Sequence, residues 1–329
     1  MGGVTVKNSL IRDQIYKDSD ILFFDLYSCK KNPLNLLRLF SLIFRTKGNI
    51  VLGLGSNLRL EKLLQIISWI KGKNALKKCS VIMMGSTLQK YSRSHSKMRA
   101  YLSNVQAIYT ESELINQDFS EQGIKRTAFF PNCRMLPKES YGGKTIDKSQ
   151  LRTVFFSKIC KEKGAHYLFD VVDRLNEMDV PVKLDFYGVI GTEYESEFKT
   201  SVESHENVQY KGVFDSSKDD VYKKLNEYDL LVFPTTWQGE GVAGILVESK
   251  IAGIPAIVTD HNYNGEVVIN DKEGIVISPE IIVDGFVEGI RMLQRDKALF
   301  ERLAKGAYQS KNRYEIENYR AVLMNALKE

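Results

Sequence analysis

Short runs of apolar, often β-branched residues alternate with longer amphipathic segments along the whole chain. Continuous apolar strands separated by helices are typical of parallel β-sheets that carry helices on both faces. The sequence predicts strands at 21–24, 50–54, 79–84, 107–109 and 128–130, and, further along, at 153–156, 183–187, 208–211, 230–233, 256–259 and 274–277. The pattern therefore predicts an α/β protein with two doubly wound, Rossmann-like domains.

The division between these domains is expected in the polar segment 137–150, which has no apolar periodicity. A chain of 329 residues is also longer than one hydrophobic core usually serves. We predict an N-terminal domain over 1–145, a C-terminal domain over 146–310, and a final helix over 311–329 that packs back toward the N-terminal domain. Gly2-Gly3 precedes a helix-like segment as a strand-to-helix loop does, but no strand comes before it. Either these glycines belong to a tag without a structural role, or the first strand is missing, which is the expectation adopted here for the N-terminal domain.

The charge is unevenly distributed between the two halves. Residues 1–149 contain 24 Lys and Arg against 11 Asp and Glu, a net charge of +13, whereas residues 150–329 contain 22 and 30, a net charge of −8. Such asymmetry indicates a polyanionic partner for the first half, which leaves an acidic membrane, a phosphorylated substrate or nucleic acid open. A solvated basic surface without a partner is the alternative.

Targeting and redox features indicate a cytoplasmic protein. The longest apolar stretch, 33–44, is interrupted by Arg38 and is shorter than the roughly 20 residues of a membrane span. The N-terminus lacks the order of a signal peptide. The four cysteines are far apart without CxxC spacing, as expected for reduced thiols rather than a zinc site or a disulfide framework.

The segment 233–248 carries the densest chemical signal. A predicted strand ends at Pro234, a glycine-containing loop follows, and a helix begins near Gly244. The N-terminus of a helix presents free N–H groups and a positive dipole to an anion. Glu240 and Glu248 beside it are placed to accept hydrogen bonds from sugar or ribose hydroxyls. Alternatively, Glu248 is an ordinary surface residue and the glycines only turn the chain.

Glu240 and Glu248 are separated by seven residues, and the stretch continues through 252–260 to 266–268. This closely resembles the E-x7-E region of family 4 retaining glycosyltransferases of the bacterial surface-polysaccharide type, such as those of capsule and O-antigen. Further matches to that family lie at 156–164, 186–188, 210–212 and 228–234. The resemblance implies the two-domain GT-B fold, with both Rossmann-like domains facing across a cleft.

The resemblance also implies roles for individual residues. Lys158 and Lys163 would neutralise the donor diphosphate, Glu240 would contact the donor sugar near the reacting centre, and Glu248 would hold the ribose hydroxyls. Lys158, Lys163 and Glu240 are the implied catalytic residues. The remaining implied donor-binding residues are Gly2, Gly3, Gly188, Val213, Phe214, Gly241, Val242, Ala243 and Gly244.

The implied reaction moves a sugar from a nucleotide diphosphate sugar, with UDP as the expected nucleotide, to a polysaccharide or lipid-linked diphosphate acceptor, with front-face retention. Within the segments that carry the resemblance, no DxD motif or acidic cluster suggests a divalent cation, so we expect metal-independent chemistry without a cofactor. Two departures from the family are Ser157-Lys158 in place of Gly-Arg and the absence of a His near 83–86. A non-catalytic glycosyltransferase-like subunit or a membrane-surface adaptor is the alternative.

The segment 30–47 is basic and amphipathic, with leucines and phenylalanines between lysines and arginines. Such a helix can lie in a membrane interface and attract anionic lipid; the alternative is a core helix with solvated ends. No nucleic-acid-binding motif accompanies the charge, so nucleic acid is the poorer explanation. We therefore expect a cytoplasmic protein that associates peripherally with the inner face of the cell membrane.

Overall fold

Two parallel sheets organise the chain in the computed structural model, which describes residues 3–146 and 150–328. The chain divides into two compact units. The first unit comprises Met1–Met135 with Glu315–Glu329, and the second comprises Leu136–Tyr314. The sequence-based boundary at 145 lies further along the chain and stays a prediction.

The first unit is built on a four-stranded parallel sheet of order β1-β2-β3-β4. Its helices are α1 (Gly3–Leu10, continued by a π-helical turn at Ile11–Ile15), α2 (Ser28–Lys31), α3 (Asn35–Arg45), α4 (Asn57–Lys71), α5 (Leu88–Ser94), α6 (Ser96–Leu102) and α7 (Glu113–Glu121). Its strands are β1 (Ile50–Leu54), β2 (Cys79–Met83), β3 (Ala107–Thr110) and β4 (Thr127–Phe129). Side chains of Ser56 and Ser112 accept hydrogen bonds from backbone N–H groups at the starts of α4 and α7, which caps both helices.

One strand predicted for the first unit is not formed. The segment 21–24 is irregular: Leu22 and Phe23 are exposed, and Ile21 is partly buried against the core of the first unit. Helices α5 and α6, between 88 and 102, were not among the elements predicted from the sequence. That stretch is rich in serine and basic residues, which conceals the apolar periodicity of the buried Leu88, Met98 and Leu102. Among the described residues no strand precedes Ile50.

The second unit is built on a six-stranded parallel sheet of order β10-β9-β8-β5-β6-β7. The strands are β5 (Leu151–Phe156), β6 (Val182–Tyr187), β7 (Val208–Tyr210), β8 (Leu230–Phe233), β9 (Ala256–Thr259) and β10 (Gly274–Ile277). The helices are α8 (Tyr167–Glu177), α9 (Glu195–Glu203), α10 (Val221–Asn226), α11 (Gly244–Ile251), α12 (Asn264–Val267), α13 (Ile282–Arg295) and α14 (Lys297–Ser310). This is the strand order of a Rossmann-type sheet, as predicted.

Aromatic side chains pack one face of the sheet of the second unit against α8 and α9. The rings of Phe155 and Phe186 are 5.4 Å apart, and Phe169 stacks on Phe186 at 5.5 Å. Phe198 from α9 closes the cluster at 5.1 Å from Phe186. Burying an aromatic side chain of this size stabilises the fold by about 1.5–3 kcal/mol, so this cluster anchors the sheet from which the loops described below emerge.

The C-terminal segment returns to the first unit as a series of short turns rather than one helix. Three 3-10 turns (Lys311–Tyr314, Ile316–Tyr319 and Asn325–Leu327) flank α15 (Arg320–Met324). The helix is interrupted because Glu315 is extended and pairs with Arg134 in an isolated β-bridge. Tyr16 Oη donates to the Leu323 carbonyl at 3.0 Å, which ties the segment to the core of the first unit.

None of the described helices combines the length and the apolar character that crossing a bilayer requires.

Candidate active site

The strand order of the second unit creates a crevice at the carboxyl ends of its central strands. Strands β5 and β8 are neighbours although β6 and β7 lie between them in sequence, so the chain leaves them in opposite directions. In open parallel sheets, ligands bind outside the carboxyl ends of the strands at such a switch point. The loops 157–164 after β5 and 234–243 after β8 therefore form the candidate site. They are joined directly, because Thr236 N donates to the Glu162 carbonyl at 3.0 Å.

Two glycines allow the loops to approach each other this closely. Gly164 has φ +76°, and a Cβ there would lie 2.0 Å from the Pro234 carbonyl oxygen. Gly188, after β6, has φ +146°, and a Cβ there would lie 1.8 Å from the Ser157 carbonyl oxygen. Both positions combine a left-handed backbone with contact to another main chain, so only glycine fits. The sequence singled out Gly188 as a donor-binding residue; its contact is with the loop that carries Lys158.

The centre of the site is a buried ion pair between the two loops. Lys163 Nζ contacts Glu240 Oε2, and the two residues are 8% and 6% exposed. The ammonium group also lies 4.6 Å from the ring centroid of Trp237 and 5.5 Å from that of Phe233. Thr235 Oγ1 lies 3.3 Å from the same Glu240 oxygen and is placed to donate to it. Two residues that the sequence assigned to catalysis are thus in direct contact.

The turn that carries Glu240 is fixed by the loop after β9. Glu240 N donates to the Trp237 carbonyl at 2.9 Å, and Asn262 Nδ2 donates to the Glu240 carbonyl at 3.1 Å. His261 Nε2 lies 2.9 Å from the Trp237 carbonyl, which requires the tautomer protonated at Nε2. Sequence reasoning missed Thr235, His261 and Asn262 as supports of the site. Their position just after strands β8 and β9 was the available signal.

The N-terminus of α11 faces the same loop. Ala243, the residue before the helix, is extended and supplies no side-chain cap to the first turn. Leu246 N donates to the Ala243 carbonyl at 3.1 Å, so the N–H groups of Gly244 and Ile245, at the positive end of the helix dipole, are the ones placed to meet an anion. Val242 and Ala243 are buried, Gly241 and Gly244 are partly buried, and Glu248 is half-buried one turn into the helix.

An aromatic group lies at the carboxyl ends of β5 and β6. The rings of Phe156 and Tyr187 stack at 5.0 Å, and Phe214 packs edge-on against Phe156 at 5.4 Å. Its neighbour Val213 is 61% exposed. Flat apolar surfaces of this kind suit a planar ring such as a nucleobase. Phe214 and Val213 were named from the sequence, whereas Phe156 and Tyr187 were noted only as parts of motifs.

Three titratable groups lie in or next to the loop 157–164, which we call the lysine loop because it carries Lys158 and Lys163. Burial raises the pKa of the Cys160 thiol, and burial lowers the pKa of the His166 imidazole. Hydrogen bonds from its own backbone N–H and from Cys160 lower the pKa of the exposed Glu162 carboxyl. At neutral pH the thiol and the imidazole are therefore neutral. The positive charge of this loop comes from its lysines, of which Lys163 is buried and Lys158 is exposed.

The remaining predicted site residues lie elsewhere. Gly3 is the first residue of α1 in the first unit, and Gly2 lies outside the described residues. Within the part of the chain that the structure describes, no cluster of three or more His, Cys, Asp or Glu residues is arranged to hold a metal ion.

Comparison with protein families identifies the second unit. Residues 139–310 match the family described as "Glycosyl transferases group 1". The chain belongs to this family. As a group 1 glycosyltransferase it is a transferase, and the matched region includes both loops and α11.

Solved structures place this group 1 glycosyltransferase in the GT-B fold. Anabaena HepE in complex with UDP aligns with a TM-score of 0.72 at 15% identity, covering 91% of this chain and 82% of that one. The UDP-glucose complex of the same protein gives 0.70 at 14% identity, over 99% and 97%. The lipopolysaccharide outer core galactosyltransferase WaaB gives 0.69 at 14% identity, over 99% and 95%. The predicted GT-B fold is confirmed. No curated protein matches the chain by sequence.

Proposed function

We propose that this group 1 glycosyltransferase is a retaining enzyme that transfers a sugar from a UDP-sugar to a hydroxyl group of a polysaccharide or lipid-linked acceptor in bacterial surface glycan synthesis. The contact between Lys163 and Glu240 beside the N-terminus of α11 carries the proposal. It puts a cation, a carboxylate and free N–H groups at one crevice. Diphosphate and sugar hydroxyls are recognised by these three kinds of group.

Each part of the site has a task in this reaction. Lys163, Lys158 and the first turn of α11 stabilise the diphosphate, which becomes more negative as it leaves. Glu240 accepts a hydrogen bond from the donor sugar, and Glu248 accepts hydrogen bonds from the ribose. The base lies against Phe156, Tyr187 and Phe214, with Val213 and Gly188 at the edge of that surface. Gly241, Val242, Ala243 and Gly244 contribute backbone N–H groups.

The bond changes balance within donor and acceptor alone. The bond between the anomeric carbon and the diphosphate oxygen breaks, and its electron pair leaves with the nucleoside diphosphate. The acceptor oxygen bonds to the same face of the anomeric carbon, and its proton passes to the leaving phosphate oxygen. Fixed cations take the place that a divalent metal ion has in other transferases, so we propose metal-independent transfer of a hexose without a cofactor. Gly2 and Gly3 stay proposed as donor-binding residues.

The comparisons support the choice of nucleotide and of acceptor class. HepE is known in complexes with UDP and with UDP-glucose, and WaaB is a galactosyltransferase of the lipopolysaccharide core. We place the reaction in the cytoplasm, because the four cysteines are free thiols and free thiols are the rule in reducing compartments. Capsule and O-antigen synthesis are the proposed settings.

Donor binding and transfer test the proposal separately. Thermal-shift titration with UDP-glucose, UDP-galactose, UDP-N-acetylglucosamine and GDP-mannose reports base and sugar preference, and release of UDP with an added glycan acceptor reports turnover. We expect Lys163→Ala and Glu248→Ala to abolish saturable UDP-sugar binding. The exposed pair Lys297 and Glu301 on α14 supplies matched controls, Lys297→Ala and Glu301→Ala. Unchanged binding in both site variants contradicts the assignment, and tight binding without turnover favours the non-catalytic alternative.

A further inference from the structure

The first unit presents large apolar side chains to solvent on one helix. On α3, Leu37 is 68% exposed and Phe44 is 71% exposed, and Leu36 and Phe40 are 45% and 37% exposed. Trp69 on α4 is 82% exposed, although tryptophan is usually well buried. Contiguous apolar side chains of this size on a surface mark an interaction site.

The arrangement on α3 separates three faces. Leu39 and Ile43 are buried and pack the helix onto the first unit. Leu36, Phe40 and Phe44 follow one another at intervals of four residues, which places them on one exposed face. Arg38 and Arg45 occupy the face beyond it, as helical periodicity requires. The helix thus exposes an apolar face between its buried face and a basic face.

The C-terminal end of this helix is held by α4. Lys71 Nζ donates to the Thr46 carbonyl at 2.6 Å and to the Phe44 carbonyl at 3.2 Å. These bonds join the C-terminal end of α4 to the C-terminal end of α3. Trp69 lies two residues before Lys71, about 200° away from it around α4, so these bonds do not place Trp69 beside Phe44.

The segment that contains α3 carries charge of one sign along the sequence. From residue 26 to residue 60 the sequence has no Asp or Glu, and its cations are Lys30, Lys31, Arg38, Arg45, Lys47 and Arg59. Lys30 and Lys31 have their ammonium groups 5.6 and 5.7 Å from the ring of the exposed Tyr27. Tyrosine and tryptophan beside lysine and arginine are the residues that occur at the headgroup level of membranes.

We propose that this surface, which consists of Tyr27, Leu36, Leu37, Phe40 and Phe44 with the neighbouring cations Lys30, Lys31, Arg38 and Arg45, docks in the headgroup region of an anionic lipid bilayer. The apolar face enters the boundary between headgroups and acyl chains, and the cations meet the acidic lipid phosphates. Both properties are needed together, since one acyl-sized apolar contact alone gives only weak, reversible binding. The proposal concerns the first unit alone and stands or falls independently of sugar transfer.

Vesicle co-sedimentation of the full chain tests the proposal. The probes are phosphatidylcholine vesicles and vesicles that also contain about a third phosphatidylglycerol, an anionic lipid. We expect binding to the anionic vesicles and little binding to phosphatidylcholine alone. Leu37→Ser with Phe44→Ser removes the apolar contact and should reduce binding to the background level. Arg38→Gln with Arg45→Gln should weaken binding about 25-fold, since each cation near such a surface contributes roughly a factor of five.

A matched control separates docking from folding. Leu114 on α7 of the same unit is 47% exposed, so Leu114→Ser removes a comparable exposed leucine outside the surface and should leave vesicle binding unchanged. Because the substituted side chains are exposed, the melting temperature of each variant should match that of the parent protein. Equal vesicle binding by parent and Leu37→Ser/Phe44→Ser overturns the proposal. It is also overturned if the parent binds no vesicles but forms a dimer that this double variant dissolves. UDP-sugar binding is measured in parallel on the same proteins, so that a loss of donor binding can be told apart from a loss of vesicle binding.

Discussion

Lys163 Nζ lies against Glu240 Oε2 in the crevice at the carboxyl ends of β5 and β8, and both side chains are almost fully buried. A buried carboxylate and a buried ammonium group compensate each other's desolvation, so neither charge is stable there alone. A donor diphosphate would offer Lys163 a second anion, and a sugar hydroxyl would offer Glu240 a neutral donor. The pair therefore connects the stability of the second unit with its proposed chemistry.

Glu240→Gln should separate binding from transfer. The substitution keeps the shape of the side chain and removes the charge that competes with phosphate for Lys163. We expect UDP to bind as tightly as to the parent protein or more tightly, while transfer falls about 10²- to 10³-fold, the usual effect of removing one electrostatic contact from a transition state. Calorimetric titration with UDP and a UDP-release assay measure the two quantities. Glu301→Gln on the surface of α14 is the control.

Removing only one partner of this pair should destabilise the second unit. Lys163→Met removes the cation that lies against the buried Glu240 carboxylate, and breaking a buried ion pair from one side costs about 3–5 kcal/mol. The double variant Lys163→Met/Glu240→Gln removes both charges and should recover most of that loss, although it stays inactive. Differential scanning calorimetry measures both variants. If the single and double variants melt at the same temperature, the pair is not coupled in the way the structure indicates.

Gly188→Ala should disrupt the crevice more than Gly212→Ala. Both glycines have positive φ, +146° and +81°, so either substitution strains the backbone by roughly 1–3 kcal/mol. Only at Gly188 does the new Cβ meet another main chain, the Ser157 carbonyl, whereas nothing lies within 4 Å of the one at Gly212. Steric overlap should add about 1–3 kcal/mol at Gly188. Thermal melting and UDP affinity check the difference, and equal effects of the two substitutions would refute it.

The pH dependence of stability should contain a contribution from Lys250. Its Nζ donates to Glu273 Oε2 at 2.7 Å and to Ser310 Oγ at 3.0 Å, and burial lowers its pKa from 10.5 to about 8. Between pH 8 and pH 10.5 the unfolded chain therefore binds more protons at this position than the folded one. The free energy of unfolding contributed by Lys250 rises with pH across that window and is constant below it.

The test compares the parent protein with Lys250→Met. The free energy of unfolding of each protein is measured in urea at pH 7, 8, 9 and 10. The value for the parent protein minus the value for Lys250→Met should increase above pH 8. Other titrating groups are common to both proteins and cancel. A difference that is flat from pH 7 to pH 10 would show that Lys250 keeps its proton in the folded state over this whole range.

The four thiols should divide into two classes of reactivity. Burial raises the pKa of Cys79 and of Cys133 to about 12, while Cys29 and Cys160 are partly exposed. Since the thiolate is the reactive form, we expect a disulfide reagent such as DTNB to label Cys29 and Cys160 in the native protein and all four thiols after unfolding. Cys160 lies in the lysine loop, where its carbonyl accepts from Lys163 N at 3.2 Å. UDP should therefore slow its labelling but not that of Cys29, as measured by peptide mass spectrometry.

The second unit was more predictable than the first for a physical reason. Strands such as β8 and β9 are buried along their whole length, and that produces the continuous apolar runs visible in the sequence. The segment at 21–24 is equally apolar, but Leu22 and Phe23 are exposed, so apolar composition alone did not identify a strand there. The meeting of Lys163 and Glu240 depends on β5 pairing with β8, which follows from the order of strands in the sheet and not from spacing in the chain. The supports at His261 and Asn262 were missed for the same reason. The roles of the individual site residues remain predictions.

Because the C-terminal segment returns to it, the first unit is formed by two separate segments of the sequence. Ile316, Leu323 and Ala326 are fully buried in its core beside Ile11, Ile15 and Tyr16. A truncated fragment that stops at Met135 would lack these side chains and expose the cavity that they fill. After a single protease cut in the polar segment following Met135, residues 315–329 would remain covalently attached to the C-terminal fragment and packed, without a covalent bond, in the core of the N-terminal fragment. Expression of the units as separate proteins therefore requires residues 315–329 to be attached to the first unit. A circularly permuted chain can supply this connection, whereas a truncation at Met135 cannot.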